Sequence, residues 1–182
     1  MVPSFYIQIA RDAINAHFEN ASVRKNEILE LHPEMSLPKA TFVTLTIEGS
    51  LRGCIGSIIA HKPLLDDLIS NAQSAAFHDP RFKPLTSEEA ARIKIEVSLL
   101  TEPKAVDYRD AQELSRIICP GIDGVILRLG NYQATFLPQV WEELSDFDTF
   151  FAHLGMKAGI GNDPLSHHPD IYTYQVDKIK EP

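Results

Sequence analysis

The residues of this chain that could do chemistry are concentrated in one short segment, Leu51–Gly56, which reads Leu-Arg-Gly-Cys-Ile-Gly. A cysteine stands close to two glycines, and an arginine precedes it by two positions. A nearby guanidinium favours the thiolate, the nucleophilic form of cysteine. Glycines leave room for a ligand or another backbone to approach. Arg52, Gly53, Cys54 and Gly56 are therefore candidate site residues, with Cys54 as the candidate nucleophile.

The same segment has a purely structural interpretation. Cysteine packs well as a small buried hydrophobe, and glycines relieve crowding against a helix. Both interpretations stay open at this point, because the choice depends on which way Cys54 faces.

A β-hairpin positions this segment. The β-branched, alternating run 41–47 predicts a strand, and Glu48-Gly49-Ser50 predicts a turn before a second strand. A two-residue Gly49-Ser50 loop would bury Arg52 beside apolar side chains, which is costly for an unpaired charge. We therefore expect a three-residue loop, with Ile47 opposite Leu51 and with Leu51 and Ile55 on the core face. The other face then carries Arg52, Cys54, Gly56, Phe42, Thr44 and Thr46.

Two further segments carry charged candidates. The alternating run 93–101 predicts a strand with Ile93, Ile95, Val97 and Leu99 inward, which leaves Glu96 and Ser98 on the face that carries Cys54. Glu96 is then a candidate general base and a candidate partner for Arg52. Asp79 and Arg81 flank a proline, which is typical of a rigid charged elbow or of a structural salt-bridged loop.

The rest of the chain predicts an α+β fold with a largely antiparallel sheet flanked by helices, because hairpins alternate irregularly with helices. Its predicted elements are helices over 5–19, after Pro63, after the Thr86 capping box, over 111–118 and after Asp146, a hairpin over 124–137 and a strand over 171–176. Cys119, beside Pro120, is expected to be a packing residue.

Composition limits the function classes. The chain has 182 residues, 44% hydrophobic, and a formal net charge of −8, which argues against non-specific nucleic-acid or anionic-membrane binding. Its two cysteines lack CxxC spacing, so neither zinc nor a disulfide framework is indicated. No leader pattern occurs at Met1–Ser4, and no run reaches the ~18 apolar residues of a membrane span, so we expect a cytoplasmic protein. The late glycines match no cofactor motif, and His167-His168 is expected to lie in a solvated loop.

Five blocks in this order closely resemble the AMMECR-type domain, and the resemblance covers essentially the whole chain. The blocks are 51–56 (LRGCIG), 76–82 (AFHDPRF), 97–101 (VSLLT), 121–125 (GIDGV) and 134–141 (ATFLPQVW). Lys83 stands where many members have a second consecutive proline. His78 also departs from the family pattern, which argues against His78 as a general base for Cys54.

The resemblance implies a single domain over residues 1–182, made of a larger and a smaller subdomain, with shared residues lining a cleft between them. It also implies association with Memo-like and radical SAM proteins in a modification pathway. It implies no established activity and no cofactor.

Three functions remain open. A binding module would present Arg52, Arg81, Asp79, Ser98 and the glycine backbone to an anionic small molecule, a nucleotide or a partner peptide. An enzyme would use Cys54 as a nucleophile, with Glu96 as base. A structural brace would pair Arg52 with Glu96 or Asp79 in a buried ion pair.

Overall fold

The computed structural model describes residues 4–182 and divides the chain into two compact units. Unit 1 holds the described residues up to Leu100 together with Asp177–Pro182, and unit 2 is Thr101–Val176. Residues 1–3, which belong to the stretch searched above for a leader pattern, lie outside the described residues. Within residues 4–182, no helix combines the length and apolar character that crossing a membrane requires.

Unit 1 is a four-stranded sheet packed against helices, in the order β2-β1-β3-β8. Its elements are α1 (Phe5–Glu19), α2 (Lys25–Leu31), β1 (Thr41–Ile47), β2 (Ser50–Gly56), α3 (Leu64–Phe77), α4 (Ser87–Ala90), β3 (Lys94–Leu100) and, from the end of the chain, β8 (Val176–Lys180), with a 3₁₀ turn at Pro33–Ser36. Strand β1 pairs antiparallel with both β2 and β3. The predicted α+β class with antiparallel strands is confirmed.

The first hairpin turns differently from our expectation. Its loop is the two residues Glu48 and Gly49, both at positive φ (53° and 80°), and Ile47 pairs with Ser50. This is the mirror-image turn that suits the twist of paired strands. A bulge then follows, because Leu45 pairs with Gly53 and Thr46 with Leu51, which leaves Arg52 as the extra residue.

The bulge decides which side chains reach the core. Leu51 is 43% exposed, so its predicted core position is wrong. Beyond the bulge the prediction holds: Cys54 lies opposite Thr44, Gly56 lies opposite Phe42, and Ile55 packs against the core. The extra residue thus moves Leu51 from the core face to the exposed face of the sheet, while Cys54 stays on the face away from the core.

The core of unit 1 lies between the sheet and helices α1 and α3. Apolar residues recur at helical spacing on α1 and α3 and at alternate positions of β1 and β3, so each element presents one apolar face. Fully buried members include Ile7, Ile14, Met35, Val43, Leu45, Leu65, Leu68, Ile95 and Val97. The predicted capping box is present at the start of α4, where Thr86 and Glu89 satisfy each other's backbone N–H groups.

A buried polar network joins α3 to both ends of the first hairpin. One carboxylate oxygen of Asp67 accepts from the backbone N–H and the hydroxyl of Thr41, both at 2.8 Å, and from Asn71 at 2.9 Å. The other accepts from the hydroxyl of Ser57 at 2.6 Å. Asp67 is 2% exposed, so these four bonds replace the water that it loses on burial.

Unit 2 is a second four-stranded sheet, ordered β4-β7-β5-β6, with two helices. Its elements are β4 (Lys104–Ala105), α5 (Ala111–Ile117), β5 (Gly124–Leu129), β6 (Tyr132–Phe136), α6 (Phe147–Ala158) and β7 (Asp170–Tyr174), with 3₁₀ turns at Pro138–Glu142 and Pro164–His167. The predicted hairpin is present, with Leu129 opposite Tyr132 across Gly130-Asn131. In its core, Trp141 stacks on Phe150 with ring centroids 3.6 Å apart.

Two smaller predictions fall in unit 2. Cys119 is exposed, so its expected packing role is wrong: its backbone N–H is held by Asp123 at 2.8 Å while the thiol points outward. His167 ends a 3₁₀ turn and His168 follows in the left-handed region, and both are exposed. Among residues 4–182, no three His, Cys, Asp or Glu side chains cluster as metal ligands would.

The chain enters and leaves unit 2 at adjacent points. Thr101 donates its backbone N–H to the carbonyl of Gln175 at 2.9 Å, and the Thr101 hydroxyl accepts from the backbone N–H of Gln175 at 2.8 Å. After Gln175 the chain returns to unit 1, where Glu181 accepts from Arg11 at 2.6 Å and from the N–H of Ile95 at 3.0 Å. These bonds fasten the last strand into the sheet of unit 1.

Candidate functional site

Cys54 lies on the sheet face of unit 1 that points away from α1 and α3, and its side chain is half-buried. The strand register aligns three polar side chains in one row across that face: Cys54 on β2, Thr44 on β1 and Glu96 on β3. The Cys54 Sγ is 3.3 Å from the Thr44 Oγ1. The structure therefore brings the Thr44 hydroxyl into contact with the thiol. The residue pattern alone had not indicated Thr44 as a member of the site.

The backbone of Cys54 is held from the free edge of the sheet. The Asp79 carboxylate accepts from the Cys54 N–H at 2.9 Å, and the Arg81 Nη2 donates to the Cys54 carbonyl at 3.2 Å. Because β2 is an edge strand, these two groups would otherwise lack a partner. Asp79 and Arg81 therefore complete the hydrogen bonding of β2 at Cys54, in the manner of a short neighbouring strand. We call this arrangement the Asp79–Arg81 clamp.

The clamp is held together internally. Asp79 also accepts from the Arg81 side chain at 3.0 and 2.7 Å and from its backbone N–H at 3.1 Å. The bond from the Arg81 guanidinium, against burial and together with the bond from Cys54, holds the pKa of Asp79 well below its usual range. The same pair raises the pKa of Arg81. The charged elbow predicted around Pro80 is thus a salt-bridged loop that docks on Cys54.

Arg52 takes a different partner from the one expected. Its Nε and Nη2 donate to the two carboxylate oxygens of Glu89 at 2.9 and 2.8 Å, and its Nη2 also donates to the carbonyl of Lys83 at 3.0 Å. The predicted pairs with Glu96 and Asp79 are wrong, because the bulge directs Arg52 toward α4. The bond from Arg52 lowers the pKa of Glu89 to about 2. With its side chain only 13% exposed, Arg52 serves as a brace between β2 and α4.

The aromatic ring of Phe82 lies between the two arginines. The Arg52 and Arg81 guanidinium carbons are 5.7 and 5.6 Å from its centroid, within the range of cation–π attraction. Phe82 thereby links the brace to the clamp. In the sequence, only its place directly after Asp79-Pro80-Arg81 connects Phe82 with this loop. Its contact with Arg52 depends on the fold and has no sequence signal.

Glu96 and Ser98 lie on the expected face. Glu96 pairs with Lys180 of β8 at 3.3 Å and stands beside Thr44, so Thr44 separates it from Cys54. Ser98 lies opposite Phe42 and is 5% exposed. As a base for Cys54, Glu96 would therefore act across the Thr44 hydroxyl and would have to share its charge with Lys180.

The two glycines allow close packing. A Cβ on Gly53 would stand 2.1 Å from the carbonyl oxygen of Ala75 on α3, and a Cβ on Gly56 would meet the Phe42 ring at 2.2 Å. At Gly53 the obstacle is the backbone of α3, and at Gly56 it is the Phe42 ring, so a larger residue would require the helix or the ring to move. Gly53 is thus used for helix packing, and Gly56 for the placement of Phe42.

Taken together, the candidate residues divide into three groups. Asp79, Arg81 and Cys54 form one connected set, Glu96 and Ser98 share the sheet face without touching Cys54, and Arg52 is occupied elsewhere by Glu89. The arrangement can present one fixed, half-exposed thiol beside an exposed guanidinium, since the Arg81 side chain is 55% exposed.

Comparison with known proteins agrees with the resemblance. The AMMECR1 family model matches residues 7–179. A protein of Methanothermobacter thermautotrophicus is 39% identical over 180 residues, covering 96% of this chain and 92% of that protein. A protein of Methanocaldococcus jannaschii is 37% identical over 183 residues, covering 98% and 89%.

A solved structure is similar over nearly the whole chain. The crystal structure of an uncharacterized protein from Pyrococcus horikoshii superimposes with a TM-score of 0.84 at 32% sequence identity, covering 96% of this chain and 88% of that one. The agreement in both sequence and fold extends over both units.

Proposed function

The chain belongs to the AMMECR1 family, and from the geometry of its Cys54 surface we propose that it is a binding module for a small anionic ligand such as a nucleotide. The ligand would lie on the outward face of the unit 1 sheet, against the Cys54 thiol and the exposed side of Arg81. Catalysis is not required by this proposal.

The single observation that carries the proposal is the position of the Arg81 guanidinium. Asp79 fixes it beside Cys54, with Nη2 bound to the Cys54 carbonyl, while more than half of the side chain stays exposed. Its bonds to Asp79 and Cys54 use Nε and Nη2, so the Nη1 side of the exposed guanidinium can face a ligand oxygen. A preorganised guanidinium is well suited to phosphate or carboxylate.

Two observations support the choice of Arg81 over the other candidate residues as the group that would hold the ligand. Arg52 is committed to Glu89 and Lys83, which leaves Arg81 as the anion-binding arginine. Gly53 and Gly56 are filled against Ala75 and Phe42, so their part in the site is to set backbone positions. That the ligand lies in a cleft between subdomains stays a prediction of the resemblance.

The test is protection of Cys54 from alkylation. In a Cys119→Ser background, iodoacetamide modification of Cys54 would be followed with and without millimolar AMP or inorganic phosphate. We expect AMP to slow the reaction several-fold, and Arg81→Gln to abolish the protection. Arg92→Gln is the matched control, because Arg92 is an exposed arginine of the same unit that pairs with Glu48. Equal alkylation rates with and without both anions would contradict the proposal.

A cysteine enzyme is the second candidate, and one observation favours it. The contact between the Cys54 Sγ and the Thr44 Oγ1 gives the thiol a hydrogen-bonding partner on the sheet face away from α1 and α3. An alkylation midpoint well below the ~8.5 of a free cysteine would support a nucleophilic role. No reaction before unfolding would exclude it and leave a structural thiol.

We further propose the partners that the family resemblance implies, a Memo-like protein and a radical SAM protein. A binding module without its own cofactor would suit a subunit that presents a ligand to another enzyme. Co-purification of either class with the tagged chain from its native host, lost on Arg81→Gln and kept on Arg92→Gln, would support this part of the proposal.

A further inference from the structure

The inference concerns Thr44, which faces Cys54 directly across the β1–β2 ladder. The N–H and carbonyl of Cys54 both bond to the Asp79–Arg81 clamp, on the side away from β1. The Thr44–Cys54 pair is therefore of the narrow, non-hydrogen-bonded kind, in which opposite side chains approach most closely. The 3.3 Å contact between Sγ and Oγ1 follows from this register.

A hydroxyl and a thiol can each donate, so the neutral pair has no fixed direction. A thiolate has no proton and can only accept, which makes Thr44 the donor once Cys54 ionises. A hydrogen bond to a charged acceptor is stronger than one between neutral groups, and a bond to the charged form favours that form. The Thr44 hydroxyl is therefore the group in this contact that would hold an ionised Cys54 in place.

We propose that Thr44 is a positioning residue that holds the ionised Cys54 side chain by a hydrogen bond from its hydroxyl to Sγ. This inference rests on the proposed function, which places the ligand against that thiol. It adds one residue to that site, the hydroxyl that fixes the sulfur against which the anionic ligand would lie.

Other charged groups face the thiol from the neighbouring elements. Arg81, from the segment after α3, is held beside the thiol by the bond from its Nη2 to the Cys54 carbonyl. Asp79 lies beside it, and Glu96 on β3 stands beyond Thr44 with Lys180 of β8 as its partner. Substitution of Thr44 leaves all four of these charges in place, so a change in thiol reactivity would report the hydroxyl itself.

The experiment is the pH dependence of Cys54 alkylation by iodoacetamide in the Cys119→Ser background, with three variants. Thr44→Val keeps the β-branched shape and removes the hydroxyl, Thr44→Ser keeps the hydroxyl, and Thr46→Val removes a hydroxyl from the same face of β1 opposite Leu51. We expect Thr44→Val to raise the midpoint of the reactivity curve and to slow alkylation at neutral pH several-fold. Thr44→Ser should restore the original midpoint, and Thr46→Val should leave it unchanged.

The outcomes separate the inference from the proposed function. A Cys54 that reacts with the same midpoint in Thr44→Val and in the parent protein overturns the inference alone. A shift of equal size in Thr44→Ser also overturns it, since packing would then be the cause. A Cys54 that never reacts in the folded parent protein contradicts the accessible site itself. Should Thr44→Val unfold, Thr44→Ala removes the same hydroxyl and replaces it in each comparison.

Discussion

The Asp79 carboxylate accepts a hydrogen bond from the backbone N–H of Cys54 at 2.9 Å, across 25 positions of sequence. This bond substitutes for the strand that β2 lacks on its outer side. It also explains how a loop can orient a residue on an edge strand, where side chains are usually less well fixed than in the interior of a sheet.

Asp79→Asn should therefore loosen Cys54 in particular. The two carboxylate oxygens of Asp79 accept four hydrogen bonds, whereas the amide of an asparagine has one accepting oxygen. The substitution also removes the negative charge that pairs with Arg81. We expect a loss of about 2–3 kcal/mol in unfolding free energy, since Asp79 is buried while Arg81 is partly exposed. Amide hydrogen exchange at Cys54 should accelerate more than at Val43, which lies in the same sheet.

The control for this prediction is Asp146→Asn, which changes a helix-capping aspartate of unit 2 that accepts from Thr149. Because asparagine caps a helix about as well as aspartate, this change should cost little stability and leave exchange at Cys54 as it is. Unchanged exchange at Cys54 in Asp79→Asn would mean that β2 keeps its geometry without the clamp.

Removing the acid from the Arg52–Glu89 brace should change how stability depends on pH. The pKa of Glu89 is lowered from an ordinary 4.5 to about 2 in the folded protein. The folded state therefore binds this proton less readily, so the brace contributes fully above pH 4.5 and its contribution is lost as pH falls toward 2. Glu89 is partly exposed, which limits the contribution to about 1–2 kcal/mol.

Chemical denaturation at a series of pH values checks this point. Glu89→Gln should be less stable than the parent protein at neutral pH, and the difference should shrink between pH 4.5 and 2. Glu88→Gln, one residue earlier on α4 and exposed, should reproduce the parent curve. A difference that stays constant over that range would show that packing, and not the charge, sets the cost of the substitution.

Gly53→Ala should be among the most destabilising single-methyl changes in unit 1. The added Cβ would lie 2.1 Å from a backbone oxygen of α3, so either β2 or the helix must move. We expect a loss above about 3 kcal/mol, at the upper end for overpacking. Gly49→Ala is the comparison: nothing lies within 4 Å of its Cβ, and the positive φ alone should cost about 1 kcal/mol. Thermal unfolding of both variants measures the contrast, and equal losses would refute the packing role of Gly53.

Asp67→Ala should weaken the attachment of α3 to the first hairpin. It leaves two Thr41 groups, Ser57 and Asn71 without their shared acceptor in a buried site, which we expect to cost about 3 kcal/mol or more. Asp66→Ala is a neighbouring control, because Asp66 is half-exposed and forms an exposed ion pair with Lys25. Its loss should stay below about 1 kcal/mol. Denaturant titration separates the two, and similar losses would mean that the network contributes little.

Much of the fold could be predicted from local pattern. The strand 93–101, the hairpin at Gly130-Asn131 and the capped helices were visible because each depends on residues a few positions apart. The first hairpin could not be fully predicted, since a bulge at Arg52 changes the register without leaving a clear signal in the residue types. We had expected a three-residue loop because a two-residue loop would bury Arg52 without a partner. That reason does not apply, because Glu89 pairs with Arg52.

The members of the candidate site could be predicted one by one, but their hydrogen-bonding partners could not. Cys54, Asp79 and Arg81 were recognised by their types, and the sheet face of Glu96 by alternation. The actual partners join residues 25 to 37 positions apart, and such long-range pairs depend on how α3 and α4 pack. Thr44 was predicted correctly to share a sheet face with Cys54. Its contact with the thiol arises because the two residues form a non-hydrogen-bonded pair, which the residue types do not reveal.

The return of the last six residues to unit 1 has a consequence for synthesis on the ribosome. Asp177–Pro182 supply part of β8 to a sheet whose other strands are finished by Leu100, and Glu181 supplies the acceptor for Arg11 on the first helix. Unit 2 is a continuous segment, while unit 1 stays without the β8 edge strand until Asp177–Pro182 have been made. The unit that begins first is thus completed only after the unit that follows it in the chain, and a chain stopped at residue 176 would leave the outer side of β3 unprotected.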